Sequence, residues 1–298
     1  MNTQIHIVDA FTLAPETGNR AGVVLNSDNL SDAQMQSIAA FAGYSETAFV
    51  LPAKSADHDL QVRYFSPTME VPICGHATIA AHFIRAQQGK LKQEKYQVLT
   101  GAGILSVWIS GEGAASKVTM QQATPTFGPV LNEAERALML AGLGLAEDDL
   151  VAGLPAQIVS TGHSKVIIPL RDSQILKNIV LDKDILITLS QRISCNGYFP
   201  FAVINNQHQF ATQGRMFAPA IGIDEDPVTG NANGPVGAYL YHHNRIAIDG
   251  ELTYAARQGC EMGRPGTIFV TLNNQNANRL IVKITGNAVS VGTRMYAG

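Results

Sequence analysis

The chain has 298 residues, of which 46% are apolar, so it is long enough for two domains of ordinary size, each with a packed core. Its net charge of −3, without a block of like charges, argues against nucleic acid and against an anionic membrane surface as partners. No basic leader precedes an apolar segment at the N-terminus, and no apolar run reaches membrane-spanning length. We therefore expect a soluble, cytoplasmic protein whose three separated cysteines are reduced.

The first half of the chain predicts strands around one buried helix. Ser31 is a plausible N-cap for an amphipathic helix through about Ala42. From Gly75 to about Gln87 almost every residue is apolar, which is typical of a helix enclosed on most sides. The predicted strands of this half are 5–8, 21–25, 47–51, 60–65, 96–99, 104–109 and 117–120.

The second half repeats the first. Residues 121–128, which contain Thr124, Pro125 and Thr126, resemble a crossover, and a helix is predicted over 131–140. Residues 63–67 then match 215–219, and the same order continues into a second glycine turn after an insertion of three residues. A repeat of this length predicts two similar lobes rather than a solenoid. We expect the first lobe to be 1–121 plus 285–298, and the second to be 122–284.

Each half has a glycine turn that opens an apolar helical run, at 72–77 and 227–232. Free backbone N–H groups at such a helix start can bind an anion, here through the amides of Gly75 and Gly230. If the halves face each other, the turns border a cleft, which we expect to be the active site. Because Pro235 and two glycines lie in the second run, regular helix is predicted to begin late and to leave amides near Gly230 unpaired.

Glu46 is the candidate catalytic residue. It follows the polar Ser45 and precedes an apolar strand, where a carboxylate can equally be an ordinary exposed residue. If it is buried near the cleft, its pKa rises toward neutrality, and it can act as a general base that returns the proton as an acid.

Two further residues are candidates for holding the substrate. His76 follows Gly75 at the first helix start, where the helix dipole favours neutral imidazole; it either donates to the substrate or simply caps the turn. Asp226 precedes the second turn, where it either binds a substrate amine or hydroxyl or is an ordinary turn residue before Pro227.

A catalytic thiol pair is not indicated. Cys74 lies at a helix start, where thiol pKa values fall, but the matching position of the second turn is Thr229. Nucleotide-binding loops and paired metal-ligand spacings are also missing from the sequence. We therefore expect acid–base chemistry without a metal or cofactor.

Several motifs together resemble the PhzF (phenazine biosynthesis) isomerase family, in particular its YddE-like branch. They extend from near the N-terminus to beyond Pro265. They are Gly18-Asn19 with Ala21-Gly22-Val23-Val24-Leu25, Ser45-Glu46-Thr47-Ala48-Phe49, Phe65-Ser66-Pro67-Thr68-x-Glu70-Val71-Pro72-x-Cys74-Gly75-His76-Ala77-Thr78, Glu225-Asp226-Pro227-x-Thr229-Gly230 and Gln258-Gly259-x-Glu261-Met262-Gly263-Arg264-Pro265.

The resemblance implies an α+β fold of the diaminopimelate-epimerase-like type, with two pseudo-symmetric lobes, each a barrel-like, mostly antiparallel sheet around a central helix. It also implies that Glu46 is the catalytic acid/base and that a homodimer is possible. The residues it implies for substrate binding are Asn19, Ser45, Gly75, His76, Asp226 and Gly230. Asn231 stands where the phenazine enzyme has serine, so a different substrate contact is expected there.

The sequence therefore predicts a cofactor-independent isomerase that moves a proton between carbons of a small carboxylate substrate. Two alternatives stay open. One is a racemase or epimerase that acts at a single stereocentre, and the other is a catalytically silent binding or scaffold protein of the same fold.

Overall fold

The structure is a computed structural model that describes residues 2–206, 209–274 and 279–298, without the side chains of 205, 206 and 209. The helices are α1 (Asp32–Ala42), α2 (Gly75–Gln87), α3 (Glu133–Leu143), α4 (Ser173–Lys177), α5 (Lys183–Ile193) and α6 (Gly230–His242). The strands are β1 (Asn2–Ala10), β2 (Asn19–Val24), β3 (Glu46–Pro52), β4 (Leu60–Phe65), β5 (Glu70–Val71), β6 (Lys95–Thr100), β7 (Gly103–Ser110), β8 (Lys117–Gln121), β9 (Thr126–Val130), β10 (Gln157–Ser160), β11 (Lys165–Leu170), β12 (Tyr198–Asn206), β13 (Gln209–Gly214), β14 (Met216–Ala218), β15 (Ile223–Asp226), β16 (Glu251–Gln258), β17 (Gly266–Asn273), β18 (Ile281–Gly286) and β19 (Ala288–Ala297). In the described part of the chain, every helix is too short or too polar to traverse a lipid bilayer.

Unit 1 comprises Met1–Gln121 and Thr285–Gly298. Its strands pair in the order β19, β1, β2, β3, β4, β6, β7, β8; the β2–β3 and β4–β6 pairs are parallel and the other pairs antiparallel. Helix α2 packs against β1, β2, β3 and β8, and its residues from His76 to Ile84 are buried. The uninterrupted apolar run therefore forms the central helix of this unit, as the sequence predicts.

Unit 2 comprises Gln122–Ile284. Its strands pair in the order β9, β10, β11, β12, β13, β16, β17, with β11–β12 and β13–β16 parallel. Helix α6 packs against β10, β11 and β17, whereas α3 packs on α5. Two clusters of buried apolar residues result, one around α3 and α5 and one around α6. Strand β9 begins inside the stretch predicted as a crossover.

The internal repeat extends to the ion pairs of the two units. In unit 1, Arg63 donates from Nε and Nη2 to the two carboxylate oxygens of Glu70, at 2.8 and 2.7 Å. In unit 2, Arg215 makes the same bidentate pair with Glu225, again at 2.8 and 2.7 Å. The first pair ties β4 to β5, and the second ties the residue directly before β14 to β15. The predicted α+β fold with two similar lobes is confirmed.

The prediction that the second central helix begins late is wrong. Helix α6 begins at Gly230, directly after its N-cap Thr229, and the amide of Asn233 donates to the Thr229 carbonyl at 3.2 Å. Ala232 also donates to that carbonyl, so these two amides are paired. Pro235 removes one donor within the helix but does not delay its start. Packing in the core outweighs the poor helix propensity of this segment.

Gly234 leaves no room for a side chain, because α6 contacts the buried side-chain amide of Gln122 at this position. A Cβ at Gly234 would lie 1.8 Å from Oε1 of Gln122, whose Nε2 donates to the Gly230 carbonyl at 2.9 Å. Alanine in place of a glycine inside a helix ordinarily stabilises by about 1 kcal/mol. Here overpacking reverses the sign, so we expect Gly234→Ala to lower the free energy of unfolding by about 2 kcal/mol.

Urea denaturation followed by circular dichroism measures this change. The matched variant Gly234→Ala/Gln122→Ala removes the clashing amide. In the Gln122→Ala background, Gly234→Ala should change the free energy of unfolding little, because the clashing amide is absent. The double-mutant cycle therefore isolates the contact between these two residues. A Gly234→Ala protein as stable as the native chain would contradict the assignment.

Candidate active site

Glu46 lies at the edge of the core of unit 1. It begins β3, where it is the parallel register partner of Ala21 on β2. Its side chain is only 18% exposed, so it is not the exposed surface residue that its sequence context also allows. Burial raises the pKa of its carboxyl group, and hydrogen bonds from Ser45 and Cys74 offset part of that rise. The result is a carboxyl group that keeps its proton to higher pH than an ordinary glutamate.

His76, the second residue of α2, brings its ring against this carboxyl group. Its Nε2 lies 3.3 Å from Glu46 Oε2 and 3.3 Å from Ser45 Oγ. The ring is 6% exposed, and Cys74 Sγ lies 3.4 Å from its Nδ1. Four chemically active side chains from two short segments are thus in mutual contact.

The start of α2 faces this group with its positive end. The side chain of the N-cap residue Cys74 makes no capping hydrogen bond, and the first turn of the helix contains no acidic residue. Thr78 instead supports the turn from inside, since its Oγ1 and N donate to the Cys74 carbonyl at 2.7 and 3.1 Å. The first turn of α2 is therefore a helix start without a side-chain cap from Cys74, and helix starts of this kind bind anions.

Asn19 lies at the same end of the sheet of unit 1. It begins β2, two residues before the register partner of Glu46, and is 2% exposed. The loop that precedes it is fixed by the fully buried Asp9, which accepts from Arg20 at 2.7 and 2.9 Å and from the Glu16 amide at 2.8 Å. A rigid loop therefore places Asn19 on the strand next to Glu46.

In unit 2, Asp226 is held at the end of β15. Its carboxylate accepts from the Thr229 hydroxyl, and its carbonyl accepts from Gln258 Nε2 at 2.7 Å. The side chain of the N-cap residue Thr229 makes no capping hydrogen bond to α6, whose first turn also lacks acidic residues. Asn231, in that first turn, has a buried Oδ1 with no hydrogen-bond partner among the described residues. The predicted residues Asp226, Gly230 and Asn231 thus lie together.

Gln258 is the residue that shapes this second turn, and sequence reasoning did not single it out. It is 1% exposed, and its Oε1 accepts from the Thr229 amide at 2.9 Å and from Asn233 Nδ2 at 2.8 Å. Asn233, also 1% exposed, donates to the Thr229 carbonyl as well. The only signal in the sequence was that Gln258 is the first residue of the last motif that resembles the PhzF family.

Lys165 was also missed. It begins β11, is 2% exposed, and places its Nζ 2.8 Å from His163 Nδ1 and 3.2 Å from the Ser164 carbonyl. Burial lowers the pKa of its amine to about 8. A lysine that opens the apolar run Val166-Ile167-Ile168 was the available signal.

A metal-like donor set also emerges. The ligand atoms of Glu46, Cys74 and His76 all lie within 4.8 Å of one another. Carboxylate, thiolate and imidazole are ligands that Zn²⁺ accepts. Residue 46 is far in sequence from the other two, so a short metal-binding motif could not have predicted this group of ligands.

Comparison with known proteins places these features in a family. The family model PhzC-PhzF, described as "Phenazine biosynthesis-like protein", matches residues 8–294. The chain is 47% identical to the isomerase YddE of Escherichia coli K12, over 97% of this chain and 96% of that protein. It is 29% identical to the trans-2,3-dihydro-3-hydroxyanthranilate isomerase of Pseudomonas chlororaphis, over 96% of each. The crystal structure of a phenazine biosynthesis protein of the PhzF family from Bacillus anthracis matches with a TM-score of 0.89 and 30% identity over 100% of both chains.

The raised pKa of Glu46 makes a prediction about stability. The folded protein holds this proton more tightly than the unfolded chain does. The associated stability is therefore complete below the ordinary carboxyl pKa and is lost as pH rises through the folded-state pKa. Glu46→Gln cannot lose a proton, so its melting temperature should exceed that of the native chain at neutral pH, with a smaller difference in acid.

Thermal unfolding at a series of pH values between acid and neutral tests this dependence. Glu94→Gln is the matched control, because Glu94 is exposed and should show no such trend. A melting-temperature difference for Glu46→Gln that shrinks as pH rises would contradict the buried-carboxyl assignment.

Proposed function

The chain belongs to the PhzC-PhzF family and is an isomerase, and from that premise we propose that it moves a proton between two carbons of a small carboxylate substrate through Glu46. The observation that carries the proposal is the cluster of Glu46, Ser45 and His76 beside the start of α2. No cofactor is required in this scheme.

Glu46 takes the role of base and then of acid. Removal of a proton from carbon and its return elsewhere need a group whose pKa lies near the working pH. An ordinary carboxylate is too weak a base for this task. Desolvation of Glu46 shifts its pKa in the required direction, while the hydrogen bonds from Ser45 and Cys74 keep its ionised form accessible.

The start of α2 takes the role of anion site. Proton loss next to a carboxylate builds up enolate-like negative charge, which fixed donors stabilise without reorganising. The backbone amides of Gly75 and His76 and the positive end of the helix dipole supply such donors. His76 in its neutral form adds one N–H donor, and Ser45 orients its ring.

Recognition of the rest of the substrate falls to Asp226 and Asn231. Asp226 presents a carboxylate for an amine or hydroxyl, and Asn231 offers a buried acceptor that is unpaired among the described residues. The relative from Pseudomonas chlororaphis is named for a substrate with a carboxylate, an amine and a hydroxyl. We propose this substrate class for the chain but not that compound, because Asn231 stands in place of the family serine.

A racemase that uses two thiols is the weaker proposal. Cys74 lies at one helix start, but Thr229 at the other donates its hydroxyl to Asp226 and offers no thiol. The shared cleft between the two helix starts, the homodimer and Asn19 as a carboxylate contact stay predictions.

Deuterium incorporation tests the role of Glu46. The native chain, incubated in deuterated water with small amino- and hydroxy-carboxylic acids including trans-2,3-dihydro-3-hydroxyanthranilate, should incorporate deuterium at carbon. Because general acid–base catalysis contributes at least about 100-fold, Glu46→Gln should slow the exchange by that factor. Mass spectrometry of the recovered acids measures it. Glu94→Gln should match the native chain, and equal labelling by Glu46→Gln would remove Glu46 from the mechanism.

Metal removal separates acid–base chemistry from metal chemistry at the same cluster. If Glu46 acts as a free carboxyl group, dialysis against EDTA should leave the exchange rate unchanged. Loss of exchange on chelation, with recovery on addition of Zn²⁺, would instead assign Glu46, Cys74 and His76 to a bound ion.

A further inference from the structure

The strand registers of unit 1 define where Glu46 lies in the repeated fold. Strand β3 is parallel to β2 and antiparallel to β4. Thr47 lies opposite Phe65 on β4, and Glu46 comes one residue earlier, opposite Ala21 on β2. Two pairings therefore fix the position of Glu46 in the sheet: the antiparallel pair Thr47–Phe65 and the parallel pair Glu46–Ala21.

The same registers in unit 2 identify the counterpart of Glu46. Strand β12 is parallel to β11 and pairs antiparallel with β14, where Tyr198 lies opposite Phe217. Phe217 corresponds to Phe65 in the sequence repeat, so Tyr198 corresponds to Thr47. The residue before Tyr198 is Gly197, which has no side chain at the position where unit 1 has its acid/base.

Lys165 fills the space that Gly197 leaves. A Cβ built at Gly197 would lie 2.3 Å from Lys165 Cδ, 2.9 Å from its Cε and 2.7 Å from Met216 Cε. The lysine comes from β11, the strand parallel to β12, directly before Val166, whose amide donates to the Gly197 carbonyl at 2.8 Å. The place of the Glu46 side chain in unit 1 is thus taken by the Lys165 side chain in unit 2.

The amine lies beside the strand that carries Asp226. Met216, which shares the space over Gly197 with the lysine, is the register partner of Asp226 in the β14–β15 ladder. The charged and titratable groups that face the Lys165 amine are His163, Cys195 and Asp226; the last favours the protonated amine against the burial that lowers its pKa. Two of its three N–H groups have acceptors in His163 and Ser164, which leaves one for a further acceptor.

We propose that Lys165 is a positioning residue whose ammonium charge favours the ionised Asp226 carboxylate at the start of α6, from the place that Glu46 occupies in unit 1. The proposal rests on the proposed role of Asp226 in binding the substrate. The repeat in unit 1 then carries the proposed base, and the repeat in unit 2 carries a carboxylate with a cation near it. Loss of the Lys165 proton removes this positive charge and weakens substrate binding.

A titration of the charge pair tests the proposal without any substrate. In protein labelled with ¹³C at lysine Cε, the signal that disappears in Lys165→Arg belongs to Lys165. Its midpoint should lie near pH 8 in the native chain and about one pH unit lower in Asp226→Asn, because an opposite charge that favours the ammonium has been removed. An unchanged midpoint would overturn the pair. If Asp226→Asn does not fold, Lys165→Met with labelled aspartate gives the reciprocal reading, in which the Asp226 midpoint should rise.

Kinetics of the deuterium exchange then test the consequence. Lys165→Met, which matches the side chain in size, should raise KM about tenfold and leave kcat close to native, because a charge-assisted contact to a binding group is lost. Lys165→Arg should have the native KM at neutral pH. We expect KM of the native chain to rise above pH 8, and this rise should be absent in Lys165→Arg. Lys177→Met, at an exposed lysine of the same unit, should change neither constant.

A fall in kcat alone, or the same KM and pH profile for Lys165→Met and Lys165→Arg, would overturn the positioning role. If the native chain exchanges no deuterium into any acid, the proposed function fails. The titration still decides whether Lys165 and Asp226 form a pair.

Discussion

A carboxyl group kept from water at the start of a buried helix is the constraint on which unit 1 depends. Burial of Glu46 disfavours its charge, whereas the helix start and the donors from Ser45 and Cys74 favour it. The two tendencies oppose each other, and the balance leaves a carboxyl group whose pKa is raised. The enclosing sheet maintains that balance, because β2 lies alongside β3 and excludes solvent from one side.

Unit 2 uses the same architecture for another purpose. Its glycine turn is secured by the buried amides of Gln258 and Asn233, which satisfy the amide and carbonyl of Thr229. Such a network is stable only when every member is paired, since one orphaned buried group costs about 1 to 3 kcal/mol. The start of α6 is therefore rigid before a ligand arrives, and Asp226 is presented by a turn with little freedom.

The sequence predicted what local pattern determines. The apolar run after Gly75 predicted α2 with its bounds, and Ser31 predicted the cap of α1. The start of α6 was predicted wrongly because local propensity omits the distant Gln122, which donates to its first carbonyl. Gln258 was missed for the same reason. Its partners lie about a helix and a strand away in the chain, so no short motif records them.

The paired arginine clamps, Arg63 with Glu70 and Arg215 with Glu225, separate architecture from chemistry in this chain. Both repeats contain the clamp that closes the hairpin before the turn, while position 46 is a glutamate and its counterpart 197 is a glycine. The backbone around each turn is therefore fixed by contacts that do not involve these two positions. Matched positions of the two lobes can carry different chemical groups without a change in the frame that surrounds them.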